Sequence, residues 1–296
     1  MRKPQSITGY KADVAHDAER VLVTLLRKLG PWRKSIFLVG GLAPRYIVEK
    51  RPPSVPPHAG TGDVDVVVDV AILADTEAYS TLEENLKAMG FERATNDKGV
   101  VVNWRWSAKL EHGGTIILEF LAHDPNLKGG ALQELPTKGN VSAINIPFAS
   151  MVFDLHDTRE VEAELLDGGG VAIETIAYAN LVSFTCLKAF AYDHRHEGKD
   201  AHDLVYCLEH AEGGLEPAAA MFREALAGKH ADAIAHALEI LRQRFAAREH
   251  ESYRLDGPVA VARFEIDGDE DDSRNRRIVR QRTVADVIAR LLAALG

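Results

Sequence analysis

Cysteine is almost missing from this 296-residue chain: Cys186 and Cys207 are the two present. Both sit in apolar, helix-like contexts, so they read as reduced core thiols, and a disulfide framework is excluded. No apolar run is long enough to span a bilayer. The basic start "MRKPQSITGYKADVAHDAER" has no apolar core behind it, so a secretory leader is not expected and a cytoplasmic location without a membrane partner is. Positive charge is also short. Thirty-five Lys and Arg stand against 44 Asp and Glu, a net charge of −9, which excludes a broad non-specific nucleic-acid binder but leaves room for a local basic groove. The G-x-G-x-x-G and P-loop patterns are absent, which removes support for dinucleotide binding and Walker-type chemistry. Ser183 and Thr185 lack a G-x-S-x-G setting, so serine-hydrolase chemistry has no foothold.

What is present is apolar patterning for a substantial core, with 46% hydrophobic residues, and a length that suits two domains. Val14, Val21, Leu22, Leu25, Leu26 and Leu29 predict a helix over 11–29 that stops at Gly30. "SIFLVGG" predicts a strand ending in a glycine pair, "LAPRYIVEK" a helix, and the Pro-rich "RPPSVPPHAGTG" a loop. Residues 75–90 predict a helix with Leu82, Leu86 and Met89 on one face. "GVVVNWRW" and "GTIILEFLAH" predict two strands. This is a mixed sheet unit. After residue 145 come short strands and turns, with "GGG" at 168–170 as a turn, and then five largely helical segments. The expected fold class is therefore α+β, with a mixed-sheet core over 1–145 and a mainly helical domain over 146–296. The acidic stretch 265–277 is expected to be a mobile loop.

Within "GTGDVDVVVDV", Asp63 and Asp65 lie two residues apart in what otherwise reads as a buried strand. Residues so spaced share a face, roughly 7 Å apart. Ionised carboxylates beside a core are costly unless balanced. If the strand of Glu119 pairs beside them, three carboxylates meet on one face, a hard-oxygen set suited to Mg²⁺. Each feature alone has a plainer reading: an exposed strand end for the aspartates, an outward-facing strand residue for Glu119, an ordinary turn for Gly40 and Gly41. Lys188, with Arg195, Lys199, Asp200 and Asp203 downstream, suits either a triphosphate contact or a solvated helix face. His194, His196, His202 and His210 lack closed zinc spacing and read as surface or packing residues.

Taken in order, the Gly-Gly turn, the D-x-D pair, an acid on a later strand, and a lysine followed by "KDAHD" resemble the nucleotidyltransferase superfamily. The likeness is greatest to its AbiEii/MenT-type branch, the enzyme halves of type IV toxin–antitoxin systems, and covers about residues 36–210. The resemblance implies a polymerase-beta-like core that transfers NMP from an NTP to an acceptor hydroxyl. It assigns the nucleotide to Gly40, Gly41, Thr61 and Lys188. It assigns a two-ion Mg²⁺ site, with Mn²⁺ as the alternative ion, to Asp63, Asp65 and Glu119. Asp203 completes the catalytic set, with Asp200 competing for that place in a second register. Two departures stand out: a long gap between Gly41 and Asp63, and Gly62 where many relatives carry a serine, with Thr61 as its substitute. The resemblance further implies tRNA 3′ ends as acceptor and a cognate antitoxin as partner. A protein or small-molecule acceptor, or a degenerate nucleotide-binding module, is the alternative. Positive paths for RNA are expected at Arg45, Lys50 and Arg51 and at Arg274, Arg276, Arg277, Arg280 and Arg282.

Overall fold

The computed structural model describes residues 4–10, 12–75, 81–96, 98–110, 113–166, 168–247 and 250–296. Its contacts divide the chain into two compact units. A sheet unit takes Lys11–Ala43 and Gly60–Ala179; a helical unit takes Arg2–Tyr10, Pro44–Ala59 and Asn180–Gly296. Residue 145, where the sequence places the change of domain, ends a strand inside the sheet unit.

The sheet unit opens with α1 (Ala12–Leu29), whose Val21, Leu22, Leu25, Leu26 and Leu29 are buried at the helical spacing read from sequence. The strands are β1 (Ile36–Val39), β2 (Asp63–Val68), β3 (Glu92–Thr95), β4 (Val101–Lys109), β5 (Thr115–Ala122), β6 (Leu132–Glu134), β7 (Ser142–Asn145), β8 (His156–Glu164) and β9 (Val171–Ala179). They form one mixed sheet in the order β3-β4-β5-β2-β1-β9-β8, with β7 beside β5 and β6 beside β7. β2 runs antiparallel to β1 and parallel to β5. α1 packs on β2, β5, β8 and β9. The alternation of β2 and β5 sends Val64, Val66, Leu118 and Phe120, all fully buried, to one face, and Asp63, Asp65 and Glu119 to the other. The 3-10 turn Ala149–Phe153 closes the acid-bearing face near Val67, where Phe153 packs 5.1 Å from Phe37.

Between β2 and β3 lie α3 (Val70–Asp75) and α4 (Leu82–Ala88), the latter within the predicted helix 75–90; residues 76–80 of that prediction lie outside the described residues. Asp69 caps α3 by accepting from Ala71 N and Ile72 N, so the third aspartate of the β2 run has a structural use. Thr81 and Glu84 form a capping box on α4.

The helical unit contains α2 (Pro44–Ile47), α5 (Leu181–Arg195), α6 (Gly198–Glu209), α7 (Leu215–Leu226), α8 (Ala231–Leu241), α9 (Asp256–Glu265) and α10 (Asp271–Leu295). α2 is shorter than the predicted "LAPRYIVEK" helix. The Arg51 guanidinium collects the released carbonyls of Arg45, Val48, Glu49 and Lys50, and prolines follow. The expected mobile loop 265–277 is corrected. Only residues 266–270 separate α9 from α10, and the acidic run continues as helix. Asp271 and Asp272 occupy the first turn of α10, where the helix dipole favours negative charge, and Arg280 locks its middle to Glu209 and Glu265. No helix among the described residues is long and apolar enough to cross a membrane.

Candidate metal centre and ion-pair network

On the sheet, register decides what meets what. Asp65 pairs directly with Glu119 across the parallel β2–β5 ladder, and Asp63 lies two residues before Asp65 on the same face. The condition set by the sequence, that β5 lie beside β2, is met. All three acids are half-buried. Arg105, the register partner of Glu119 on β4, brings Nε to 2.9 Å from Glu119 Oε1. Arg105 was not among the residues singled out from sequence, although its alternation with buried Trp106 and Ala108 assigns it to the acid-bearing face.

Gly40 follows β1 with φ +69°, in the left-handed region. A β-carbon there would stand 1.9 Å from Asp65 Oδ2, so glycine is the residue that lets the turn approach this carboxylate. Gly41 is buried in the same 3-10 turn, Gly40–Leu42. Thr61 is also buried. Its hydroxyl accepts from Asp63 N at 3.1 Å and lies 3.3 Å from Asp63 O, so it shapes the entry to β2. Asp63, Asp65 and Glu119 are hard oxygen donors on one face of adjacent strands, beside a backbone with no side chain in the way. Among the described residues the side chains whose ligand atoms already converge within 4.8 Å are instead His58, His202 and Asp203.

The helical unit gathers the other predicted residues into a different arrangement. Asn180 caps α5 by accepting from Val182 N and Ser183 N. α6 lies close to α9 because a β-carbon on Gly198 would be 3.3 Å from Ala260 O. Lys188, 8% exposed, donates to Asp200 Oδ1 at 2.9 Å and to Asp203 Oδ2 at 2.7 Å. Asp200 also receives Arg195 Nε at 2.6 Å, and Lys199 Nζ donates to Asp203 from one turn earlier on α6. Burial works against the ionised form of Asp200, but Lys188 and Arg195 overcome it and hold the carboxyl down to about 2. Asp203 is likewise buried, and Lys188, Lys199 and His58 hold it well below the usual carboxylate range. Burial opposes the charge on Lys188, yet the two aspartates raise its pKa above the ordinary lysine value. Lys188, Asp200 and Asp203 are thus assembled, and they are engaged with one another.

Beyond them the network holds His58, brought by the Pro-rich loop, with Nε2 2.9 Å from Asp203 Oδ1. Its ring stacks on His202 at 5.5 Å. His202 Nδ1 lies 2.8 Å from Glu265 Oε1, and Arg280 binds Glu265 and Glu209 together. One nitrogen of each of these two histidines and one oxygen of Asp203 lie within 4.8 Å of one another. Of the four histidines considered from sequence, His202 joins this cluster, with a partner 144 residues away that no local spacing announces.

Two surface cavities lie elsewhere. One of about 440 Å³ is lined by Val259, Arg263, Arg274, Arg277 and Gln281 in the helical unit. One of about 470 Å³ is lined by Arg33, Lys34, Phe37, His156 and Glu174 in the sheet unit. Neither is lined by Asp63, Asp65 or Glu119. No protein-family model, no curated protein and no solved structure matches this chain.

Proposed function

We propose that this chain is a cytoplasmic, Mg²⁺-dependent nucleotidyltransferase that moves NMP from an NTP to an acceptor hydroxyl and releases pyrophosphate. One observation carries the reading: Asp63, Asp65 and Glu119 share a face of adjacent strands, and Gly40 lies against Asp65 without a side chain. Those three carboxylates would hold the ion pair, which when bound supplies activation of the attacking hydroxyl and neutralisation of the leaving pyrophosphate. Asp63 and Asp65 provide oxygens in fixed register. Arg105 orients the Glu119 carboxylate and offsets its charge before the ion enters. Gly40 and Gly41 let the backbone approach the donor nucleotide. The resemblance gives Lys188 the triphosphate contact; to make it, Lys188 would exchange a carboxylate for a phosphate, a trade between like anions, while Asp203 would keep Lys199 and His58.

We assign tRNA as the acceptor, reached through the exposed arginines of α10. Arg274 and Arg276 are exposed, whereas Arg280 is bound within ion pairs and Arg51 and Arg277 donate to backbone carbonyls. A second reading, a degenerate nucleotide-binding module, is favoured by the double clamp on Lys188, which serves stability without any substrate. Incubating the full chain with each labelled NTP, Mg²⁺ and total tRNA separates these readings. A labelled RNA supports the proposal. A labelled protein or small hydroxylated additive moves the acceptor, and no label with any NTP favours the degenerate module.

A further inference from the structure

We propose that His58, His202 and Asp203 form a second metal site, separate from the carboxylates of the sheet and selective for a transition metal of the zinc class. His202 is 3% exposed. Its Nδ1 is occupied by Glu265 Oε1 at 2.8 Å; a carboxylate accepts there, so Nδ1 carries the hydrogen. Nε2 is then a bare acceptor. It is buried and has no hydrogen-bond partner among the described residues. An orphaned buried acceptor is uncommon and calls for an explanation such as an ion.

The surroundings supply the rest of a site. One ring nitrogen each of His58 and His202 and one oxygen of Asp203 lie within 4.8 Å of one another, and the His58 side chain is 12% exposed, which gives an ion a way in. Glu265 plays the part that a carboxylate behind a metal-bound imidazole usually plays, fixing tautomer and ring orientation. Glu265 is itself fixed by Arg280, with Nη2 at 3.0 Å from Oε1. Metal–nitrogen bonds of about 2.0–2.1 Å draw the donors inward. His58 stands on a loop tied to α6 by Tyr206 Oη donating to Pro56 O at 2.9 Å, which keeps its ring beside His202 and Asp203. On binding, the hydrogen that His58 Nε2 directs at Asp203 moves to Nδ1, and Asp203 Oδ1 turns from that hydrogen to the ion. Two imidazoles and one carboxylate select zinc-like ions over Mg²⁺, which prefers an all-oxygen shell. The ion competes for Asp203 with Lys199, whose Nζ lies 2.9 Å from both carboxylate oxygens.

Binding alone tests this site, independently of nucleotidyl transfer. The full chain, stripped with chelator, is dialysed against micromolar Zn²⁺, against Mg²⁺ alone, and against Co²⁺ as a spectroscopic probe. Retention is expected at about one Zn²⁺ per chain, with Co²⁺ giving visible absorption of low-coordinate nitrogen ligation. His58→Gln and His202→Gln are each expected to weaken Zn²⁺ at least tenfold, and Lys199→Gln to tighten it. Mg²⁺ is expected to leave all three variants alike. Circular dichroism identifies any variant that fails to fold, and the Co²⁺ spectrum of the unaltered chain then decides. Zn²⁺ retention indifferent to both histidine changes, or Co²⁺ bound with an oxygen-only spectrum, overturns the site.

Discussion

Gly40 and Asp65 are in such close approach that a single methyl group on Gly40 would overlap the carboxylate, 1.9 Å from Oδ2. The pair comes together because Val39 and Asp65 are partners in the β1–β2 ladder and the chain turns left-handed one residue later. Gly40→Ala is therefore expected to cost both stability and function. Gly30 gives the comparison: it also has positive φ, at +56°, but a β-carbon there meets nothing within 4 Å. Gly30→Ala should suffer only the left-handed penalty, about 1–2 kcal/mol. Gly40→Ala should suffer more, because Asp65 must also move. Urea unfolding of the two variants, with NTP turnover alongside, checks the ordering; equal destabilisation and full turnover in Gly40→Ala would contradict it.

Asp65→Ala is expected to abolish nucleotide transfer while the metal-free protein keeps or gains thermal stability. Asp63, Asp65 and Glu119 carry like charges on one face of adjacent strands, and Arg105 stands against that of Glu119. Deleting one carboxylate removes repulsion and a ligand together. Added Mg²⁺ should raise the melting temperature of the unaltered chain and leave the variant unmoved. Full transfer by the variant would sink the metal assignment.

The acid-bearing face was legible in the sequence because strand alternation is strict: Val64, Val66 and Val68 on one side imply Asp63 and Asp65 on the other. The pairing of β2 with β5 was legible only as a condition, since register between distant strands has no local signature. β8 was hard to read because it is an edge strand in which only Val161 and Ala163 are buried, so alternation is confined to the end of its charged run "HDTREVEAE". The first turns of α10 looked like a loop for a related reason: their helix is held by Arg277 and Arg280 reaching other segments, and its own apolar stripe starts later, at Val284. Lys188 with Asp200 and Asp203 could be picked out by residue type. Their mutual clamp could not, because it needs α5 and α6 packed side by side.

That clamp changes what Lys188→Met should do. The substitution keeps volume but takes one cation from two buried carboxylates. Asp200 keeps Arg195 and Asp203 keeps Lys199 and His58, so the cost should fall below the about 3–5 kcal/mol of breaking an isolated buried ion pair from one side. Lower stability is expected whether or not Lys188 meets a nucleotide. Pairing the change with Asp203→Asn should restore part of that stability, since the effects of touching residues are not additive. If Lys188 also binds triphosphate, NTP affinity of the folded variant falls at least tenfold, about 1.4 kcal/mol. Unchanged affinity beside the lower stability would confine Lys188 to the structural role.

The acceptor can be tested through the arginines, once those with internal duties are set aside. Arg280 is bound to Glu209 and Glu265, and Arg277 donates to Ile266 O and Gly268 O, so altering either would disturb the join between α9 and α10. Arg274 and Arg276 are exposed; the former has only a weak pair with Asp271 at 3.5 Å, worth little in water. Arg274 also lines the cavity shared with Arg263 and Gln281. Reversing Arg274 and Arg276 to glutamate should therefore leave the melting temperature nearly unchanged. If RNA phosphates lie along this helix, labelling of tRNA should weaken, and the slope of log affinity against log salt should flatten by about 1 for each phosphate no longer neutralised. Transfer to a small hydroxylated acceptor, or hydrolysis of NTP by water, should barely change. RNA labelling indifferent to salt and to both reversals would free α10 from any part in RNA binding and favour the small-molecule acceptor.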